Sequence, residues 1–312
     1  MSDKPKSKAF KDWFDRAAAR SLAKQVAGAW PKFDEAAFVR RAGAKLNTLE
    51  FSGRVQQFAD ALAAGLPSSI PKALQILVKS LPEPLSDADQ VTDAWLQWPV
   101  GQFIADHGLD AFDESFVAMI ELTKRFSSEF AVRPFVEHHP EQTFERLLAL
   151  TADPNPHVRR WCSEGVRPRL PWGKKLRALV DDPGPIWPIL EALKDDPELY
   201  VRRSVANTLG DIAKDHQAAV VKRCRAWAKG ASPERQWLIK HALRGPIKAG
   251  DPAALAAIGF SSAKGLRATL SASPKRIKVG ESVALTAEVG SSAKRKQSLM
   301  IDYVVHYVRQ RD

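Results

Sequence analysis

One eight-residue phrase, returning later in the chain, limits the possible architecture more than any other feature of this sequence. Asp153-Pro-Asn-Pro-His-Val-Arg-Arg160 comes back as Asp196-Pro-Glu-Leu-Tyr-Val-Arg-Arg203, an offset of 43 residues. That period falls in the range of paired-helix HEAT-type repeats. A third unit, Ser232-Pro-Glu-Arg-Gln-Trp-Leu-Ile-Lys240, opens in a similar way. The phrase has a physical reading: Asp and Pro close one helix and open the next, Val enters the stack, and Arg faces a neighbouring repeat or solvent. A single unit cannot cover its own apolar face, so the units must stack into a curved array.

The rest of the chain up to about residue 260 agrees with this. Apolar residues recur at three- and four-residue spacing, as in Val55 to Leu62, Ala73 to Leu81 and Ser115 to Phe126, and Pro, Gly and Asp clusters interrupt them. This pattern predicts short helices. After Ser261 the period changes to two, in Ser282 to Val289 and again in Leu299 to Tyr307, with Pro274, Gly280 and a Gly-Ser-Ser turn between. These are strand signals. The expected fold is therefore mainly α, a HEAT-like repeat α-solenoid over 1–260, followed by a β segment over 261–312. That segment resembles the start of an immunoglobulin-like sandwich, which needs about 100 residues and roughly seven strands. About 50 remain before Asp312, so an incomplete second domain is expected.

Lys and Arg exceed Asp and Glu by 11 in 312 residues. Such a surface attracts a polyanion, because each neutralised phosphate releases a condensed counterion. Nucleic acid is the first partner to expect. The chain shows no basic amphipathic anchor or apolar span, which argues against a membrane. The opening MSDKPKSKAF lacks a signal-peptide core, so a cytoplasmic, nucleoid-associated monomer is expected. Cys162 and Cys224 are read as two reduced thiols in helices. His138, His139, His157, His216 and His241 form no metal-ligand spacing with Cys or Asp, so neither metal nor cofactor is expected. A phosphate-cradling glycine loop and a GxSxG string are both missing, against an NTPase or a serine hydrolase.

Residues four apart share a helix face. Arg160 with Glu164, Arg203 with Asn207 and Asp211, and Lys240 with Arg244 would each line a polar stripe, and stacking would merge the stripes into one concave surface. Glu129 and Arg133 show the same spacing upstream. Each carboxylate also has a plainer reading, a solvated ion pair worth a few tenths of a kcal/mol. Glu164 is the most structural of them by this reading, set among Arg160, Arg167 and Arg169; equally, it is a DNA-site candidate that orients those arginines for phosphate. Arg160, Arg167, Arg169, Arg203, Lys240 and Arg244 suit phosphate. Arg159 and Arg202 occupy the generic repeat position and are expected to tie neighbouring repeats through Asp. Trp172, after Pro171, reads as a loop or helix start where an aromatic face could meet a cationic base; Phe130 and Trp237 are weaker candidates. Trp95, Trp98, Trp187 and Trp227 read as packing.

Four strings carry a resemblance: RFSSEFAVRPFVE from Arg125, HVRRWCSEGVRPRLPW from His157, YVRRSVANTLGDIAKDH from Tyr200, and WLIKHALR from Trp237. The chain resembles the AlkC family of DNA glycosylases in these segments, S-E-G-x-R-P-R-L-P-W being the most specific. The resemblance implies removal of cationic bases (N3-methyladenine, N3-methylcytosine, N1-methyladenine) from double-stranded DNA in base excision repair, without rotating the base into a deep pocket, unlike flipping enzymes. It also implies that Glu129 and Asp211 carry catalysis. Such a base is a good leaving group; what the protein must supply is negative charge near an oxocarbenium-like sugar and a positioned water. The alternative is a HEAT-type scaffold that binds nucleic acid or protein without chemistry.

Overall fold

The computed structural model describes residues 9–86, 91–261, 265–294, 299–301 and 306. Helices fill the first part: α1 (Arg16–Ala29), α2 (Glu35–Ala42), α3 (Phe51–Gly65), α4 (Ile70–Ser80), α5 (Trp98–His107), α6 (Phe112–Thr123), α7 (Arg133–His138) and α8 (Pro140–Ala149). They continue as α9 (Pro156–Glu164), α10 (Arg177–Asp181), α11 (Trp187–Leu193), α12 (Leu199–Trp227), α13 (Pro233–Ala242), α14 (Arg244–Lys248) and α15 (Pro252–Ala257). The three predicted runs fall on α3, α4 and α6. One core runs through the array, with Phe58, Phe116, Phe135, Trp161, Leu190 and Leu209 at zero exposure. Among the described residues no single helix is long and apolar enough to cross a membrane.

The repeated phrase explains itself in the structure. Asp153 Oδ1 accepts the Asn155 N–H at 2.8 Å, and Asp196 Oδ1 accepts the Glu198 N–H at 2.9 Å, so each Asp shapes the turn before its helix. Arg159 Nη1 then donates to the carbonyls of Asp153 and Pro154, and Arg202 Nη1 to those of Asp196 and Pro197. Val158 and Val201 are fully buried. Arg159 also grips the Asp196 carboxylate in the next repeat through Nε (2.6 Å) and Nη2 (3.1 Å), as expected. Arg202 departs from expectation: it bonds to carbonyls of its own repeat rather than to an Asp side chain. Arg235 supplies the next bridge instead, to Asp195.

These ties stack α9, the first part of α12, and α13 into one row. α12 leaves this row where His216 departs from helical geometry (φ −127°, ψ 48°), its Nε2 sitting 2.7 Å from the Val180 carbonyl. Beyond the break, α12 becomes the first helix of the next pair. Gly165, just past α9, has no room for a side chain: a Cβ there would lie 2.6 Å from Val132 Cγ1.

Two strands follow, β1 (Leu266–Ser273) and β2 (Ala284–Ser291), antiparallel with Leu266 opposite Ser291. The second overlaps the predicted Ser282–Val289 strand. β1 lacks clean alternation, so the period-two signal does not reach it. Of the predicted strand at 299–307, residues 302–305 and 307 lie outside the described residues, and 299–301 and 306 are not in a strand.

Candidate active site

A cavity of about 570 Å³ opens between the N-terminal turn, the α5 start, the turn before α7, and the α9–α12 row. Its lining combines aromatic rings with charged and polar side chains. Phe10, Trp13, Trp95, Trp98, Phe126, Phe130, Trp172 and Tyr200 share it with Ser127, Glu129, Arg160, Glu164 and Arg203, and Leu170 and Pro171 complete it. Trp98 stacks on Phe130 (5.1 Å, 22°) and on Trp172 (6.2 Å, 24°). Trp95 and Trp98 are thus cavity walls as well as packing residues, a correction to their sequence reading. Trp187 and Trp227 do pack, Trp227 being 5% exposed.

Trp172 is 77% exposed and sits at φ +65°, a left-handed conformation that costs a non-glycine residue about 1 kcal/mol. It is held over the rings of Phe10, Phe51 and Trp98.

From the cavity's charged residues a line of six side chains, alternating in sign, runs out beyond the lining. Glu129 Oε2 pairs with Arg160 Nη1; Arg160 Nη2 reaches Glu164 Oε1 at 3.4 Å; Glu164 Oε1 accepts from Arg167 Nη1 at 2.6 Å; Arg167 Nε donates to Asp211 Oδ2 at 2.8 Å. Lys214 ends the line, 3.1 Å from Asp211 Oδ1. Each member neutralises its neighbours where water is scarce. Burial opposes the charge of Arg160, yet Glu129 and Glu164 outweigh it and hold its pKa above the ordinary value. Burial likewise pushes the Glu164 carboxyl up, and Arg160, Arg167 and the Ser204 hydroxyl more than reverse it, so Glu164 stays below the usual carboxylate range. Arg167 is raised in the same way against its burial, by Glu164 and Asp211.

The three carboxylates differ in what remains free. Both Glu164 oxygens are taken, Oε2 by Ser204 Oγ at 2.6 Å. Both Asp211 oxygens are taken too, one of them by an exposed lysine, and Asp211 lies outside the cavity lining at 4% exposure. Glu129 receives Arg160 and Ser127 on Oε2 alone. Its Oε1 accepts nothing from a described residue.

Several expected pairings come out differently. Glu129 and Arg133 do not share a helix: Pro134, tolerated only in a first turn, makes Arg133 the start of α7 and leaves Glu129 in the turn before it. Arg133 is buried, and burial pushes its pKa down to about 10. It donates to the carbonyls of Gly165, Arg167 and Lys174. Lys240 and Arg244 are also split, because α13 ends at Ala242; Arg244 turns back to the His241 carbonyl (2.7 Å) and Asn207 Oδ1 (3.3 Å). Arg160 and Arg167, expected on phosphate, are engaged between carboxylates. Arg169 holds Asp215 through two bonds of 2.8 and 2.7 Å near the surface. Arg203 lines the cavity and, among the described residues, has no side-chain partner. Trp237 stacks on His241 (5.0 Å, 11°) and lines a second cavity with Lys240. Sequence reasoning missed Phe10, Trp13, Ser127 and Tyr200. Tyr200, whose ring lies 5.3 Å below the Arg160 guanidinium, is the one a motif could have flagged, since it precedes Val-Arg-Arg.

Cys162 and Cys224 are separate buried thiols; burial raises both, Cys224 to about 12. Among the described residues no three His, Cys, Asp or Glu side chains cluster in a way that could hold a metal ion.

Comparison with known proteins gives three findings. Residues 267–312 match a family described as the C-terminal Ig-like domain of the uncharacterised protein YhaZ. The uncharacterised protein YhaZ of Bacillus subtilis (strain 168) is 43% identical over 210 residues, which is 67% of this chain and 58% of that protein. The match therefore spans less than two thirds of that relative. The solved structure of the Pseudomonas fluorescens alkylpurine DNA glycosylase AlkC, bound to DNA containing an abasic site analogue, superposes with a TM-score of 0.77 at 33% identity, covering 92% of this chain and 78% of that one.

Proposed function

The chain belongs to the AlkC family of HEAT-like repeat DNA glycosylases, and from that premise we propose that it excises cationic N-methylated bases, N3-methyladenine, N3-methylcytosine and N1-methyladenine, from double-stranded DNA in base excision repair. The observation that carries this reading is the free Oε1 of Glu129 in a cavity lined by aromatic rings and by the cations Arg160 and Arg203.

The chemistry follows from charge. A base methylated on a ring nitrogen leaves with its electron pair and needs little acid help; the sugar left behind carries oxocarbenium character. Glu129 Oε1 supplies fixed negative charge to that sugar, and Arg160 and Ser127 hold the carboxylate without consuming that oxygen. Aromatic faces favour the cationic base over its neutral parent through the ring quadrupole. The cavity is broad and open to the array's surface, which supports capture of the nucleotide without full rotation out of the duplex. Asp211, buried and outside the cavity lining, serves as the second carboxylate at one remove, holding Arg167 and through it Glu164 rather than meeting the sugar itself.

Arg203, Lys240, Arg244 and Arg169 take phosphates, which fix register and carry no sequence information; Phe130, Trp172 and Trp237 offer aromatic surface. Residues 1–260 form the catalytic domain and 261–312 a second one, in a cytoplasmic monomer that needs no cofactor. Incubating the purified chain with methylated duplex tests the reading. Free methylated base and abasic sites above the spontaneous rate are the expected products; tight, salt-sensitive binding with no release would leave a DNA-binding scaffold.

A further inference from the structure

Beyond the His216 break, the second part of α12 and the start of α15 enclose another cavity, of about 710 Å³. It shares no lining residue with the cavity at Glu129. Lys222, Arg225 and Lys229 line it, all exposed, over a floor of Ala218, Val221 and Ala226. Lys222 and Arg225 stand one turn apart on α12, about 60° from each other around its axis, and Lys229 follows in the turn just past the helix end. Their charges are unspent: among the described residues none has a carboxylate partner. Arg223, on the same helix, contrasts with them, packed over Trp187 and 3.6 Å from Glu191. The one carboxylate in the lining, Asp251, is used twice, capping α15 through the Ala254 N–H (2.7 Å) and accepting from Gln217 Nε2 (3.0 Å).

We propose that this groove is a second DNA-backbone site, which takes the phosphates of a duplex stretch other than the one at the lesion. Three adjacent cations of one sign, with no carboxylate to offset them, cost self-repulsion that a polyanion relieves. Arg225 suits bidentate phosphate contact, the lysines serve as point charges, and the alanine floor meets sugar edges rather than bases. The break at His216 makes the site distinct, because it moves this part of α12 out of the row that carries Tyr200 and Arg203. The proposal rests on DNA as the polymer the chain meets, and not on the chemistry at Glu129.

The test is the variant Lys222→Gln/Arg225→Gln/Lys229→Gln, read on unmodified duplexes of one and of several helical turns. On the long duplex, the slope of log affinity against log salt should fall by about 2 to 3, near 0.9 for each phosphate that is no longer neutralised. On the short duplex the slope should match the parent chain, and so should base release from a short duplex that carries a methylated base. An unchanged slope on the long duplex overturns the site, and an equal loss on the short one shows the groove to be part of the lesion track. Competition by poly-glutamate without any length-dependent DNA effect overturns it in favour of an acidic protein partner. Absence of base release by the parent chain would remove the glycosylase reading while leaving the salt slopes to decide the groove.

Discussion

Ser127 gives its single hydroxyl proton to Glu129 Oε2, at 3.0 Å, because its oxygen already accepts the Glu129 N–H (3.3 Å) and Arg160 Nη1 (3.4 Å). One hydroxyl has one proton and two lone pairs, so the arrangement is saturated. It decides which carboxylate oxygen remains open to the cavity. Ser127→Ala should lower the single-turnover rate about fivefold, the worth of one hydrogen bond near 1 kcal/mol, with substrate affinity unchanged. Ser127→Thr should restore most of it. An unaltered rate for the alanine variant would show that Arg160 alone sets the carboxylate.

Glu129→Gln should leave the fold intact and reduce base release by about 10² or more, the loss of one transition-state stabiliser. Asp211→Asn should reduce it as well, but with a fall in thermal stability, since Asp211 is 4% exposed and bound to Arg167. Comparing excision rates at matched folded fractions separates the two effects.

Glu164 is the keystone of the charge line, held between Arg160 and Arg167. Glu164→Gln leaves two buried guanidinium groups undercompensated and should cost about 3 kcal/mol in urea unfolding at neutral pH. Because its folded pKa lies below the unfolded value, its stabilisation is complete above the unfolded pKa and is lost as pH falls through the folded one. The parent chain should therefore lose stability over that acid window, and the variant should lose less.

Trp172 separates function from stability. Trp172→Gly relieves the left-handed strain while adding unfolded-chain entropy and losing the contacts to Phe10 and Trp98, so the melting temperature should fall only slightly, whereas discrimination for a cationic over a neutral base should weaken clearly. Melting curves and excision of paired substrates read both effects.

Arg159 and Asp196 join two repeats, and the Asp196 carboxylate raises the Arg159 pKa by hydrogen bonding. Arg159→Ala should destabilise the array by about 3 kcal/mol, largely from the buried carboxylate left behind. A double-mutant cycle with Asp196→Asn should recover a coupling above about 1 kcal/mol.

The sequence by itself determined the repeat. Asp, Pro, Val and Arg act through bonds that close within a few residues, such as Arg202 to the Asp196 and Pro197 carbonyls, so the phrase is legible one unit at a time. Local signals also placed a strand at Ser282–Val289, which overlaps the observed Ala284–Ser291, and the buried Val158 and Val201. The stripe at Arg160 and Glu164 survived because both lie on α9, whereas Glu129 with Arg133 and Lys240 with Arg244 failed where Pro134 and the end of α13 interrupt the helix.

Only the tertiary structure decided the site. Phe10, Trp13, Trp95, Trp98 and Phe130 come from segments up to 120 residues apart and share no period. Glu129 meets Arg160 across 31 residues and Arg167 meets Asp211 across 44. Which carboxylate keeps a free oxygen depends on how many donors surround it after stacking, and donors brought in by neighbouring repeats leave no trace in local spacing.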